Sequence, residues 1–256
     1  MSLKIAIFTA VYGGKDKLKE PFKFKKNENI DYFLITDDRV IESKFYQVIY
    51  KEPFVDDITK NARYYKIIGL DLFNEYDYVI WHDANIQMNH DEIPNLLSFA
   101  SKNSFAFYCH PVRNCIYDEA IKCIKLEKDY PYKLLKQVLK YFLKGVKNND
   151  GLFATGLYVR NNQFINVDFI NQWWIETKNY SRRDQISLSY CLKKFKIYPA
   201  IINGDIRHNK YSSFHRHKHF KYEFLRARRE IFFFEKQKKI AIKIILFLKK
   251  INFSGV

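Results

Sequence analysis

The sequence predicts an α/β domain with a mostly parallel central sheet flanked by helices, followed by a basic helical tail. Three observations carry that prediction. Short apolar runs recur along the chain, each ending in Gly, Asp, Asn or Pro. Stretches with helical spacing of apolar residues separate these runs, the alternation expected of strands and crossover helices. The composition also supplies a core: 47% of the 256 residues are hydrophobic and 18% aromatic, enough for one sizeable domain with an appendage.

Taken in order, "KIAIFTAVYGG" reads as a buried first strand ending at Gly13-Gly14. "DYFLITDD" repeats the pattern and ends at Asp37-Asp38, and "FYQVIYKEP" is a third strand stopped at Pro53. From Asp57 to Phe73 the positions Ala62, Tyr65, Gly69, Leu72 and Phe73 follow helical spacing. A strand over Tyr76–Trp81 then runs into Asp83-Ala84-Asn85, and "NSFAFYCHP" is another, closed at Pro111. Residues 115–150 read as helical and basic, with a Lys- and Asn-rich loop around 144–150. "GLFATGLYVR" is a further strand, and "FINQWWIET" a helix whose Trp173 and Trp174 belong to the core. In "SRRDQISLSYCLKK", Ser181 stands where a cap starts a helix. No repeat or flexible linker interrupts the chain before residue 205, so the sequence divides into a domain over 1–210 and a tail over 211–256.

Low Gly content (8 residues) with 19 Tyr and 23 Phe excludes a disordered or low-complexity protein. The formal net charge is +16, which calls for an anionic partner. The excess is uneven: from Arg207 onward there are fourteen Lys or Arg against three Glu. Cys109, Cys115, Cys123 and Cys191 form no C-x-x-C pair and no zinc spacing, and are expected to be buried reduced thiols of a cytoplasmic protein. The apolar run at the N-terminus is too short for a signal peptide's core, and no segment is long enough to span a bilayer.

In a parallel sheet, ligands bind beyond the carboxyl ends of the strands. Gly13-Gly14, Asp37-Asp38 and Asp83-Ala84-Asn85 all fall there, although turns after strands also favour these residue types. Asp-x-Asn after a buried strand offers two oxygen ligands to Mg²⁺ or Mn²⁺, which retain positions for substrate phosphates.

"TAVYGGKDKLKEP", "YFLITDD", "YDYVIWHDANIQM", "HPVRNCIYDEA" and "SRRDQISLSY" occur in that order over residues 4–210. Together they resemble the hexosyltransferase-like family of bacterial surface-polysaccharide loci and plant cell-wall synthesis. The resemblance implies a GT-A type fold, a nucleotide-sugar donor (a UDP-sugar favoured) and a metal-assisted, inverting transfer to an oligosaccharide or lipid-linked acceptor. It places Thr9, Ala10 and Tyr12 in the nucleotide pocket, with Asp37 or Asp38 on the base or ribose. Asp83 and Asn85 occupy the D-x-D position, Asn85 lowering the ligand charge, and His208 completes the metal shell. Arg63 and Lys66, three apart on a helix, either reach the diphosphate or form a solvated face. Asp184 is the catalytic group: a base in an inverting enzyme, a holder of the acceptor in a retaining one, or a carboxylate stabilising its helix start. Arg183 and Gln185 beside it, with Arg113, Asp118 and Glu119, are candidates for acceptor binding; Glu119 alternatively lies on a helix surface. His110 is structural on this reading, and His215, His217 and His219 form a basic solvated segment.

In the tail, Ile240 to Leu248 are apolar except for Lys243. A basic amphipathic helix of this kind lies in an anionic membrane surface, giving a peripheral enzyme on the inner face of the membrane. The other reading packs it on the domain or on another subunit. A nucleic-acid binder would explain the charge and aromatics, but no recognisable motif supports it and no nucleic acid is expected as a partner. A non-catalytic membrane scaffold is the remaining alternative.

Overall fold

The computed structural model describes residues 3–14, 16–215 and 228–251. Nine strands follow in order: β1 Ile5–Val11, β2 Ile30–Thr36, β3 Gln47–Tyr50, β4 Tyr78–His82, β5 Ile86–Met88, β6 Phe105–Cys109, β7 Phe153–Asn161, β8 Ala200–Ile201 and β9 Ser212–Phe214. The α-helices are α1 Ile58–Ile67, α2 Ile93–Ser98, α3 Ile116–Lys125, α4 Pro131–Leu143, α5 Val167–Asn179, α6 Asp184–Phe195 and α7 Arg228–Ile251. Seven strands form one mostly parallel sheet in the order β3-β2-β1-β4-β7-β6-β8, and β5 pairs with β9 in a small second sheet.

The sheet is covered on both faces, which explains the unbroken apolar runs. Along β1, Ala6, Phe8 and Ala10 pack with one cluster while Ile5, Ile7 and Val11 pack with another. The first face carries α1 and α3 to α7. The second is closed by α2, through Ile93, Leu96 and Leu97, and by Ile86 and Met88 of the small sheet. Trp173 and Trp174 are core residues, as their spacing implies.

Several boundaries differ from the sequence expectation. The helix anticipated through Phe73 stops at Ile67, because Gly69 takes a left-handed backbone (φ 87°) and a 3-10 turn follows over Asp71–Glu75. The basic 115–150 region is two helices, broken where Glu127 is left-handed and Pro131 opens α4. Ser181 is not the cap of α6: its hydroxyl accepts from the Arg183 amide (3.1 Å), and Arg183 occupies the cap position without a side-chain capping bond. β7 runs antiparallel between β4 and β6. Cys115, Cys123 and Cys191 are buried free thiols, whereas Cys109 is exposed.

Two described stretches beyond residue 210 pack on the domain. β9 pairs with β5, and α7 packs on α3 and α4, burying Phe234, Ala241, Ile245 and Leu248. Three of the eight apolar residues in the run expected in a membrane interface, Ala241, Ile245 and Leu248, are therefore buried against protein. Lys249 fixes the helix by pairing with both oxygens of Asp118 (2.7 and 2.8 Å). His217 and His219 lie outside the described residues, and among those described no helix is long and apolar enough to cross a membrane.

Candidate active site

From β1 the chain passes to β2 on one side, and later returns to β4 on the other. Where neighbouring strands connect in opposite directions, a crevice opens at their carboxyl ends. An open cleft lies at that point, with Ala10, Val11 and Tyr12 from the β1 exit and Trp81, Asp83 and Ala84 from the β4 exit on its walls. The start of α1 forms the third wall, through Ile58, Thr59, Ala62 and Arg63.

Local chemistry sets this arrangement. The amide of Gly13 donates to both oxygens of Asp37 (3.0 and 3.1 Å), tying the β1 and β2 exits together. Gly13 has φ 63°, and a Cβ there would stand 2.7 Å from Ile58 Cγ2, so only glycine lets α1 approach this closely. Asp57 caps α1 by accepting from the Thr59 amide. About two turns further along α1, Arg63 and Lys66 reach down to the β4 exit.

There the charges converge. Asp83 Oδ1 accepts from Trp81 Nε1 (3.0 Å), Lys66 Nζ (3.3 Å) and Arg63 Nη1 (3.4 Å). Asp184, the first residue of α6, pairs with the same two cations: Lys66 Nζ to Oδ2 at 2.8 Å and Arg63 Nε to Oδ1 at 3.3 Å. Lys66 is fully buried and also donates to Thr155 Oγ1 (3.1 Å). Thr155 sits where the pairing of β7 with β6 jumps from Tyr158 to Ala154, an irregularity of the kind that re-aims side chains beside functional sites. Within it, the Gly156 carbonyl accepts from the Asp83 amide (2.7 Å).

The four groups carry two positive and two negative charges. Burial alone would raise the pKa of Asp184, but Arg63 and Lys66 outweigh it and hold the carboxyl well below its usual range. Burial opposes ionisation of Asp83 in the same way, and Lys66 with Arg63 again lowers its pKa. For Lys66 the balance reverses: burial, reinforced by Arg63, lowers its pKa against the pull of both carboxylates. Asp184 is 1% exposed and stands behind Arg63 and Lys66, outside the cleft lining.

The other expected site residues are placed as follows. Ala10 and Tyr12 line the cleft, and Tyr12 stacks on Tyr65. Thr9 points to the opposite face of the sheet, fully buried, because side chains alternate along β1. Asp38 is exposed and accepts from the Val40 amide. Glu119 is buried, not on a helix surface, and gathers Arg113 Nε (2.6 Å) and Arg183 Nη2 (3.5 Å). Arg183 also donates to Gln185 (3.1 Å). Arg113, Glu119, Arg183 and Gln185 therefore form one cluster next to Asp184, whereas Asp118 turns away from it to hold α7. His110 Nδ1 accepts from the Val112 and Arg113 amides, the structural role its position suggests.

The residues present do not fit a resident divalent cation. Asn85 is buried and donates through Nδ2 to the His215 carbonyl (2.6 Å), leaving only a neutral Oδ1 without a donor. Asp83, the one carboxylate of the motif, already faces two cations. His208 is exposed in the turn between Asp205 and Ser213. Among the described residues, no three His, Cys, Asp or Glu side chains converge on a metal position.

The family model for the TOD1/MUCI70 glycosyltransferase-like domain matches residues 1–221. The chain belongs to this family. A glycosyltransferase role and the α/β fold around the cleft follow at that level, and α7 lies beyond the matched part of this glycosyltransferase-like domain. Comparison with curated proteins finds no match.

Sequence reasoning missed Thr155 and the part played by Trp81. The signal for Trp81 was available: residues 81 and 83 share a face on an extended chain. Thr155 is seventy-two residues beyond Asp83 in a strand that gave no sign of its irregularity.

Proposed function

We propose that this protein transfers a sugar from a nucleoside diphosphate donor to a glycan or lipid-linked acceptor in polysaccharide synthesis, with a UDP-sugar the favoured donor. One observation carries the reading: the cleft at the β1/β4 switch point has a guanidinium, Arg63, in its wall and a buried ammonium, Lys66, directly behind it. A crevice of this type takes a nucleotide, and cations fixed in a water-poor site stabilise the charge that develops on a departing diphosphate. Tyr12, stacked on Tyr65 and almost fully buried, shapes the cleft wall beside the base. Asp184 serves as a positioning residue that orients Arg63 and Lys66; its burial and ion pairs make it a poor proton acceptor in this arrangement. The half-buried Arg113–Arg183–Gln185 cluster around buried Glu119 supports the neighbouring acceptor side.

The acceptor is met at an anionic lipid surface. On α7, Phe233, Ile240, Ile244, Phe247 and Ile251 are exposed at spacings of 7, 4, 3 and 4, forming a stripe. Lys236, Lys239, Lys243 and Lys250 are exposed beside it. A stripe of this pattern suits a lipid interface.

The test is release of nucleoside diphosphate from UDP- and GDP-sugars by the full chain, with Mn²⁺ present and with or without a membrane glycolipid extract. Acceptor-dependent release together with a mass shift in the extract supports the transferase. No release from any donor, with or without extract, supports a non-catalytic scaffold instead.

A further inference from the structure

We infer that Arg63 and Lys66 take the place of a divalent cation in this enzyme, so that the donor's diphosphate is bound, and its departure assisted, without metal. The inference rests on the reading of the cleft as a donor site.

Three observations carry it. The first is charge. Asp83, the carboxylate that would hold a metal, has Lys66 Nζ at 3.3 Å and Arg63 Nη1 at 3.4 Å on one oxygen. A dication on that carboxylate would be repelled by both. The second is the donor set: the other motif side chain, Asn85, is neutral and tied to the His215 carbonyl, and His208 is exposed in its turn. The third is the capacity of Arg63. A guanidinium has five N–H donors in a planar fork that matches phosphate oxygens. Asp83 and Asp184 engage it through Nη1 and Nε, and the residue forms part of the cleft wall, so donor capacity remains for a diphosphate.

Lys66 contributes differently. It has no exposed side-chain surface, so it acts as a fixed positive charge behind the cleft rather than as a direct ligand. The two carboxylates hold both cations before the donor arrives, and such pre-organisation is what makes electrostatic stabilisation effective. In the transfer step, the bond from the anomeric carbon to the diphosphate oxygen breaks and its electron pair stays on that oxygen, facing Arg63. The acceptor hydroxyl oxygen bonds to the anomeric carbon, and its proton leaves to solvent water. No metal charge is needed to balance the step.

The experiment is calorimetric titration of UDP, GDP, ADP and dTDP into the full chain, in EDTA and again in Mn²⁺. The inference expects one nucleotide to bind with a Kd that changes less than about threefold between the two conditions. Arg63→Lys keeps the charge but loses the fork, and is expected to weaken binding roughly tenfold in EDTA. Binding seen only with Mn²⁺, or tightened more than tenfold by it, would overturn the inference while leaving the donor site in place. Binding of no nucleotide in either condition would overturn the donor-site reading as well. The wild-type comparison decides between these even if the variant fails to fold.

Discussion

Lys66 has no exposed side-chain surface, and its ammonium is shared by Asp83, Asp184 and Thr155. At i and i+3 on a helix, Arg63 and Lys66 share a face; the local sequence leaves open whether that face meets solvent or carboxylates. The answer depends on β4 and α6, which bring Asp83 and Asp184 to it from 17 and 118 residues away. Removing one partner of a buried pair leaves a charge without compensation, at a cost of about 3–5 kcal/mol. Asp184→Asn is therefore expected to cost that much in urea unfolding, because its side chain is 2% exposed. Asp83→Asn is expected to cost clearly less, since its side chain is 27% exposed. Equal losses at the two positions would show that solvent does not relieve Asp83. Gly13→Ala places a methyl 2.7 Å from Ile58 Cγ2 in a left-handed backbone, at a cost of about 1–3 kcal/mol. Because Ile58 opens α1, that variant should also weaken nucleotide binding, read by the same titration.

At the scale of elements, α7 has two different apolar faces. Ile245 is fully buried against α3 and α4, while Phe247 is 62% exposed. Ile245→Ala is expected to destabilise the protein by about 2–5 kcal/mol in urea unfolding. Phe247→Ala, alone or with Phe233→Ala, should change stability by less than about 0.5 kcal/mol. The same exposed-face variants should reduce co-sedimentation with vesicles containing phosphatidylserine, and raised salt should weaken binding of the wild type. Unchanged sedimentation in the double variant would remove the lipid surface as a partner of α7. Periodicity predicted this helix as amphipathic. It could not show that the sequence meets protein on one side while leaving a second apolar stripe outside, because a wheel gives angles between residues and not what stands opposite them.

For the whole molecule, pH reports on groups that the fold keeps away from their usual protonation. His82 is buried with Nε2 on the Tyr46 hydroxyl (3.0 Å), and burial pushes its pKa down to about 4. Between about pH 4 and 6.5 the unfolded chain binds a proton there that the folded chain does not. Stability should therefore be full above about 6.5 and decline as pH falls toward 4, by up to about 3 kcal/mol for this residue. His110, also lowered to about 4 by burial and then by Arg113, adds to the same slope. Urea midpoints at pH 4.5, 5.5 and 7 should show the decline, and His82→Gln should flatten it; an unchanged slope would remove His82 as its source. Asp184 acts on the acid side: its lowered pKa contributes stability above its unfolded value of about 3.8, lost as pH falls further. The sequence by itself determined the α/β class, the order of β1 to β4, and the end of the sheet at which the cleft opens, because apolar runs and the turn residues that stop them are local. It also marked Ala10, Tyr12, Arg63 and Asp83, which share one cleft. Only the tertiary structure decided that Thr9 faces away, that Asp118 holds α7, and that Asn85 is tied to the His215 carbonyl. It also decided that Arg63 and Lys66 are held between two carboxylates. Those outcomes depend on which side of a strand a residue lands and which distant chain lies opposite, and neither is written in local spacing.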